Sequence, residues 1–286
     1  MLQRNTKQDG SSYLAKMPKQ GARPPVIVIT GGSSGIGKAI AIKYASSREC
    51  KLVLAARSKE PLKEVALECR KYIQDVAVIP TDVSKEQDCK FLIEETVRLF
   101  QHIDILVLNA GVSMHMPFEE LKDLSIFHRL MQINYFGYVQ CTFYALPYLR
   151  RSNLSPRIVV VSSLSGETGV PLRSGYCASK FAVNGFFSAL RMELDKRVGV
   201  TVVSPGYVET NIRQNSFGPK EFAPDSKMMS AERCAELIVD AADQGKTKVV
   251  LTISGKLAVA LRPFFPELVD SVVKKKAYSK QHKSAL

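Results

Sequence analysis

The stretch Val26-Ile-Val-Ile-Thr-Gly-Gly-Ser-Ser-Gly-Ile-Gly37 decides the fold of this 286-residue chain. A β-branched run passes directly into a glycine-rich turn, and a helical pattern follows over 36–48. The glycines let the turn tighten and its backbone approach a pyrophosphate, while the helix N-terminus supplies N–H donors. The stretch therefore predicts a dinucleotide-binding turn. Its predicted cofactor-binding residues are Thr30, Gly31, Ser33, Ser34, Gly35, Ile36 and Gly37.

The same letters admit a second interpretation, a hydrolase. Gly31-Gly-Ser33-Ser-Gly35 fits the Gly-x-Ser-x-Gly pattern of a nucleophile elbow. Such an elbow needs several strands before it and a histidine placed after it. Here the turn follows the first strand, and none of the four histidines is convincingly placed. The hydrolase interpretation is therefore disfavoured.

Strand and helix patterns alternate along the rest of the chain. The strand patterns are continuous apolar runs, as expected when helices cover both faces of a parallel sheet. They predict a single α/β domain, a Rossmann-type doubly wound parallel sheet of about seven strands. Strands are predicted at 26–29, 51–55, 76–80, 104–108, 157–161, 200–204 and 248–252, and helices at 36–48, 62–72, 85–100, 124–150, 175–197 and 231–242.

Three regions are predicted: a basic polar tail over 1–24, the folded domain over 25–255, and an apolar then basic extension over 256–286. The net charge is +13, of which residues 1–25 carry +4 and 256–286 carry +5. The folded domain is thus nearly balanced, which argues against nucleic-acid binding. A nucleic-acid binder with basic tails remains a rival that salt-sensitive retention would reveal.

The six cysteines are scattered without Cys-x-x-Cys spacing, which predicts a reducing compartment and neither zinc nor disulfide scaffolding. No run reaches the roughly 20 apolar residues that span a bilayer. We therefore expect a cytoplasmic protein. The apolar segment 257–273 runs into Lys274-Lys275-Lys276. Peripheral membrane contact and packing on the body or on a second subunit are both open for it.

The second strand runs into Arg57 about twenty residues after the turn, where NAD-binding proteins place an acidic residue on the ribose 2′-hydroxyl. Arginine can make charge-assisted contacts to a 2′-phosphate. The position predicts NADP(H) in preference to NAD(H), with a solvated arginine as the alternative.

Tyr176 and Lys180 stand four residues apart at the start of a helix, on one face. An ammonium nearby favours the phenolate, and such a tyrosine can exchange a proton with a carbonyl or alcohol oxygen. Ser163 follows the strand at 157–161, and Asn134 lies in the middle of a helical pattern. Open α/β sheets bind ligands at the ends where these residues lie. They are candidate catalytic residues.

With these motifs in order, the chain resembles the short-chain dehydrogenase/reductase family. The resemblance runs from about residue 26 to 250. It is most similar to the branch of hydroxysteroid dehydrogenase type 1-like and dehydrogenase/reductase member 7-like proteins. The matching positions are Thr30–Gly37, Asp82-Val83, Asn109-Ala110-Gly111, Asn134, Ser163, Tyr176, Lys180, Pro205-Gly206 and Thr210.

The resemblance implies an NADP(H)-dependent oxidoreductase that works without metal. Tyr176 would be the acid/base, Ser163 would orient the substrate carbonyl, and Lys180 would lower the tyrosine pKa and bind the nicotinamide ribose. Asn134 would hold a water that links Lys180 to solvent. Asp82 and Val83 would meet the adenine, Asn109 the ribose side, and Val208 and Thr210 the carboxamide, with Ala110, Gly111, Pro205 and Gly206 completing the cofactor site.

The resemblance also implies a ketone or aldehyde substrate of hydrophobic, steroid-, retinoid- or lipid-like character. The residues predicted to meet it are Ser163, Leu164, Val170, Tyr176 and Phe217, the last in a long loop over 205–230 that has the length of a substrate lid. Apolar faces on the long helices exceed what one face of the sheet needs, and because such helices commonly form dimer and tetramer contacts in the family that the chain resembles, we expect a homodimer or homotetramer. The rival within this fold is a catalytically silent NADP-binding scaffold or sensor, which would not require all four catalytic residues.

Overall fold

The computed structural model describes residues 23–194, 197–213, 216–218 and 228–278. It confirms the predicted α/β fold, with one parallel sheet of seven strands in the order β3-β2-β1-β4-β5-β6-β7. The strands are β1 (Val26–Thr30), β2 (Lys51–Ala56), β3 (Val76–Pro80), β4 (Ile105–Leu108), β5 (Arg157–Val161), β6 (Gly199–Ser204) and β7 (Lys248–Val250).

Helices connect and cover these strands. They are α1 (Gly35–Ser47), α2 (Lys59–Cys69), α3 (Glu86–Phe100), α4 (Ser125–Met131), α5 (Gly137–Arg151), α6 (Ser174–Glu193), α7 (Ala231–Asp243), α8 (Ile253–Leu261) and α9 (Pro266–Tyr278). The helix predicted over 62–72 is displaced to Lys59–Cys69. It begins before Pro61 because the first turn of a helix tolerates proline, whose missing N–H would have no partner there.

The sheet is buried on both faces, which explains the continuous apolar strands. In β1, Ile27 and Ile29 belong to the core cluster beneath α1, α2 and α7, whereas Val28 belongs to the cluster beneath α3, α5 and α6. All three side chains are fully buried. The central strands therefore carry apolar side chains on both faces and show no alternation.

The site of ligand binding follows from the strand order. β1 pairs with β2 on one side and with β4 on the other. The helix after β1 packs on one face of the sheet, while α5, which follows β4, packs on the other. The two connections diverge beyond Thr30 and Leu108, and this divergence opens a crevice at the carboxyl ends of the strands.

A π-helical turn interrupts the helix predicted over 124–150. The turn spans Gln132–Phe136 and joins α4 to α5. Asn134 lies within it and is fully buried. Its Oδ1 accepts from Val112 N at 2.9 Å, and its Nδ2 donates to Val112 O at 2.9 Å and to Ser179 Oγ at 3.0 Å. Turns of this kind occur frequently at functional sites.

The structure describes the chain from Arg23 at the N-terminal end and as far as Tyr278 at the C-terminal end. Residues 1–22 of the predicted tail lie outside the described residues, but Arg23 forms a bidentate ion pair with the buried carboxylate of Asp104 at 2.7 and 2.8 Å. At the other end, α8 and α9 continue beyond β7. None of the helices in the described part of the chain combines the length and hydrophobicity needed to cross a bilayer.

Candidate functional site

The glycine turn between β1 and α1 leaves its backbone open to a ligand. Gly31 and Gly35 adopt φ values of +67° and +52°, a region that L side chains rarely enter. A Cβ at Gly37 would stand 2.1 Å from Gly31 O. Ser34 precedes α1 without a side-chain hydrogen bond to the helix, and the first turn holds no acidic residue. The first N–H groups of α1 are therefore available to an anion.

Thr30 and Asn109 tie this turn to the end of β4. Thr30 Oγ1 accepts from Asn109 N at 3.0 Å, and Asn109 Nδ2 donates to Thr30 O and to Gly31 O, both at 3.1 Å. A carboxamide fits here because it can donate to two carbonyls at once. The two residues shape the crevice that the sheet topology opens.

A cavity of about 500 Å³ extends from this turn. It brings together most of the predicted cofactor residues: Gly31, Ser33, Ser34, Gly35, Ile36, Arg57, Asp82, Val83, Asn109, Ala110, Gly111 and Thr210. Thr30 and Gly37 are not among the lining residues, because they support the turn from within. Sequence reasoning missed Ala56, Ser58, Pro61, Thr81, Val112, Ile133, Asn211 and Ile212. Of these, Ala56, Ser58, Thr81, Val112 and Asn211 could have been found as immediate neighbours of predicted residues.

A second cavity of about 100 Å³ adjoins the first, since Ile36, Asn109, Gly111, Thr210 and Ile212 line both. It brings Ser163, Tyr176 and Lys180 together with Pro205, Gly206 and Val208, as the sequence predicts. It also contains Ser113, Val161, Arg173 and Tyr207, which sequence reasoning missed, and Ser162, which stands beside Ser163 at the end of β5. Tyr207 directly follows the Pro-Gly pair, whereas no local pattern marks Ser113.

Burial and nearby groups act in opposite directions on Tyr176. Its pKa lies above the ordinary value because burial disfavours the phenolate, while the charge of Arg173 and a hydrogen bond with Ser163 act to lower it. Ser163 Oγ accepts from Ser165 N at 3.1 Å, which leaves its own hydrogen for donation. A buried phenol with a raised pKa stays protonated at neutral pH, which is the form that can donate a proton.

Lys180 is buried beside the tyrosine and points towards β5. Its Nζ donates to Val161 O at 3.0 Å and lies 6.0 Å from the centre of the Tyr176 ring. Burial lowers the pKa of Lys180 to about 7. The charge of Arg173 acts to lower the pKa of Tyr176 in the structure. The role of Lys180 in lowering the same pKa, which the resemblance implies, stays a prediction.

The remaining predicted residues lie outside the lining of both cavities. Asn134, in the π turn, forms hydrogen bonds to Val112 and to Ser179 on α6. Its role in a proton relay stays a prediction. Leu164 packs against Gly206 and Gly255. Val170 O accepts from Arg173 N at 3.3 Å. Phe217 pairs with Met114 and packs in the apolar cluster that contains Tyr176. In the long loop, residues 214–215 and 219–227 lie outside the described residues.

Two observations show that these residues fit a dinucleotide. The glycine turn is a cradle that a Cβ would fill, beside uncapped N–H groups of α1. In the second cavity, Ser162 Oγ is buried and has no hydrogen-bond partner among the described residues. Buried hydroxyls are normally paired, so an unpaired one in a cleft is suited to a bound group.

Comparison with known proteins identifies the family. The family described as short chain dehydrogenase matches residues 25–221, and the chain belongs to it. The chain is 38% identical over 258 residues to an 11-beta-hydroxysteroid dehydrogenase of Pinus massoniana, covering 86% of this chain and 72% of the relative. It is 36% identical over 275 residues to a Dehydrogenase/reductase SDR family protein 7-like of Dictyostelium discoideum, covering 93% and 86%.

Solved structures agree with this assignment. An alcohol dehydrogenase from Thermococcus sibiricus complexed with 5-hydroxy-NADP superposes with a TM-score of 0.71 at 26% identity, covering 80% of this chain and 96% of that structure. A short chain dehydrogenase/reductase from Burkholderia phymatum in complex with NAD has a TM-score of 0.77 at 25% identity, covering 86% and 95%. The protein is therefore an oxidoreductase by family, and its neighbours bind nicotinamide cofactors of both kinds.

Proposed function

We propose that this protein is an NADP(H)-dependent oxidoreductase that interconverts a carbonyl and a secondary alcohol on a hydrophobic, steroid-, retinoid- or lipid-like substrate. One observation carries the proposal. Ser163, Tyr176 and Lys180 meet in one cavity that adjoins the cavity of the glycine turn. A nicotinamide cofactor supplies hydride, and the side chains of the second cavity supply the proton.

Each catalytic residue has a distinct task in the reducing direction. Tyr176 donates its phenolic proton to the substrate oxygen as negative charge develops there. Ser163 Oγ donates a hydrogen bond to the same oxygen and so stabilises that charge. Lys180, with its pKa near 7, lies beside Tyr176 and can supply the proton that restores the phenol. Asn134 fixes the position of Ser179 on α6, between Tyr176 and Lys180.

Arg57 supports the choice of NADP(H). It is exposed at the end of β2, lines the larger cavity, and forms no ion pair with a described carboxylate. The backbone of the glycine turn and the start of α1 would hold the pyrophosphate, and Asp82 and Val83 would flank the adenine. The solved neighbours bind an NADP analogue in one case and NAD in the other, and Arg57 is the feature of this chain that supports NADP(H).

The substrate class is supported by the walls of the second cavity and by the relatives. Val161, Val208 and Ile212 provide apolar surface around the reacting groups. Relatives from plants are named 11-beta-hydroxysteroid dehydrogenases. The test is NADPH oxidation, followed by absorbance, with steroid, retinoid and long-chain ketones. A protein that binds NADPH and reduces none of them would be the silent scaffold instead.

We propose a homodimer or homotetramer formed through the long helices. Large apolar side chains on α5, α6 and the π turn are exposed: Phe143 by 69%, Met192 by 68%, Phe181 by 45% and Phe136 by 44%. Apolar surface of this kind commonly marks an interface between proteins. Light scattering after size exclusion should give two or four times the chain mass of 31.7 kDa. A particle of 31.7 kDa would contradict this proposal.

We also propose that the C-terminal helices contact an anionic membrane surface, on the side of a reducing compartment such as the cytoplasm. The six cysteines are all free, which suits such a compartment. Apolar side chains on and between α8 and α9 are exposed, and basic residues accompany them. The apolar ones are Ile253, Leu257, Phe264, Phe265, Leu268 and Val272, and the exposed basic ones include Lys256, Lys274 and Lys275.

Replacing Phe264 and Phe265 together with aspartate should lower binding to phosphatidylserine-containing vesicles about 10-fold or more, since each buried phenylalanine contributes roughly 1.5–3 kcal/mol. Flotation of the full chain measures this. Phe91, which is 55% exposed on α3, gives the matched control F91D with unchanged binding. Equal flotation of all variants would contradict the membrane proposal, and a smaller solution mass of the double variant would assign the surface to a second copy of the chain.

A further inference from the structure

Arg173 is a cation in the reaction cavity to which the proposed reaction gives no contact with the substrate. It lines the same cavity as Ser163, Tyr176 and Lys180. Its guanidinium carbon lies 5.9 Å from the centre of the Tyr176 ring and 5.5 Å from the centre of the Tyr207 ring. Arginine stacks on aromatic rings while its N–H donors stay directed to other groups. The Tyr176 and Tyr207 rings therefore position the guanidinium of Arg173 beside the hydroxyl proposed to react.

The backbone fixes this side chain in place. Leu172, immediately before it, is buried and adopts φ +66°, a value that costs free energy for a residue other than glycine. Leu172 O accepts from Met116 N at 2.9 Å. Arg173 O accepts from Cys177 N at 2.7 Å in the first turn of α6. Strained backbone of this kind persists where the surrounding structure requires a particular position, commonly at functional sites.

The charge of Arg173 is not balanced within the cavity. The described residues that line it include Arg173 and Lys180 but no aspartate or glutamate. Arg173 forms no ion pair with any carboxylate of the described residues. A cleft with positive charge and partly apolar walls attracts and concentrates anions. A ligand with its own negative charge would pair with this guanidinium.

We propose that Arg173 binds an anionic group of the substrate, a carboxylate or a phosphate, placed a few bonds from the carbonyl that Tyr176 protonates. The inference rests on the proposed function and narrows its substrate class to apolar ketones or aldehydes that carry an acidic group. A guanidinium matches both anions because its paired N–H groups fit two oxygens. Arg173 is thus a specificity-determining residue.

The test compares each acid with its neutral derivative. One pair is a medium-chain 4-oxo carboxylic acid and its methyl ester, and the other is a long-chain ketone phosphate and its dimethyl ester. The value of kcat/KM with NADPH is measured for each. We expect the wild-type protein to prefer the anionic member of at least one pair about 10-fold or more, and the pair that shows the preference identifies carboxylate or phosphate.

Variants assign the preference to Arg173. R173Q should reduce the ratio of acid to ester to within about 2-fold, and R173K should keep part of it because a point charge remains. Both substrates should react more slowly in R173Q, since Arg173 also acts to lower the pKa of Tyr176. The ratio therefore separates recognition of the anion from that general effect. R129Q is the matched control, because Arg129 lies 4.8 Å from the Phe217 ring and outside the cavity lining.

The possible outcomes separate this inference from the proposed function. Wild-type protein that reduces the esters as well as the acids overturns the inference and leaves the oxidoreductase function standing. Wild-type protein that reduces no carbonyl compound overturns the proposed function itself. A ratio that survives in R173Q overturns the role of Arg173. If R173Q does not fold, as judged by thermal melting, the salt dependence in wild-type protein decides: added salt should raise KM for the acid and not for the ester, and equal effects on both would overturn the inference.

Discussion

Replacing Tyr176 with phenylalanine should lower kcat for carbonyl reduction about 1,000-fold, within the range that general acid catalysis contributes. The phenolic hydroxyl is the proposed proton donor of the second cavity, and burial keeps it protonated by raising its pKa. The ring itself packs with Val112, Met114 and Leu130 in a small apolar cluster. Phenylalanine preserves that packing, so binding of NADPH and the melting temperature should change little.

Tyr44 provides a matched control for this experiment. Its hydroxyl is also buried, but it has no hydrogen-bond partner among the described residues and lies in the core beneath α1 and α7, away from both cavities. Y44F also removes a phenolic oxygen, and removal of an unpaired buried hydroxyl leaves the stability of the protein nearly unchanged or raises it. Steady-state NADPH oxidation by a hydrophobic ketone measures both variants. An unchanged rate in Y176F would show that the proposed mechanism is wrong.

Replacing Arg57 with alanine should lower the ratio of kcat/KM with NADPH to that with NADH by roughly 10-fold or more, since hydrogen bonds to charged groups contribute about 1.5–3 kcal/mol. Arg57 is exposed at the rim of the larger cavity, so the smaller value applies. The efficiency with NADH should stay constant, because a 2′-hydroxyl offers the guanidinium no charge. Added salt should weaken the NADPH preference of the wild-type protein by screening the same contact.

Lys59 gives the charge-matched control. It is exposed two residues further along, at the start of α2, and does not line the cavity. K59A removes one positive charge near the site and should leave the ratio of kcat/KM with NADPH to that with NADH unchanged. A ratio that stays intact in R57A, or a wild-type protein that works better with NADH, would contradict the assignment of NADP(H).

Some of the site could be predicted because its signals are local. The glycine turn is encoded within eight residues, from Thr30 to Gly37, since positive φ values and close backbone contacts require glycine at fixed positions. Tyr176 and Lys180 are one helical turn apart, so their common face follows from helix geometry. Strand and helix types followed from continuous apolar runs, because burial on both faces of a sheet removes alternation.

Other features depend on residues that are distant in the sequence. The π turn at Gln132–Phe136 buries an asparagine whose partners, Val112 and Ser179, lie 22 and 45 residues away. The position of Arg173 depends on the left-handed backbone at Leu172 and on a hydrogen bond from Met116. Neither arrangement has a local pattern, because it arises only when separate segments pack together.

The order of residues by itself determined the sheet and the glycine turn and marked Tyr176 as the candidate acid/base, because continuous apolar runs and the short-range geometry of turns and helices depend on neighbouring positions. The tertiary structure alone decided which charges face that tyrosine. In the folded chain Lys180 Nζ donates to Val161 O and burial lowers the pKa of this lysine to about 7, while Arg173 lies where its charge acts to lower the pKa of Tyr176. The physical reason is that the free energy of a charge depends on its solvation and its neighbours, and both are fixed only when the chain folds.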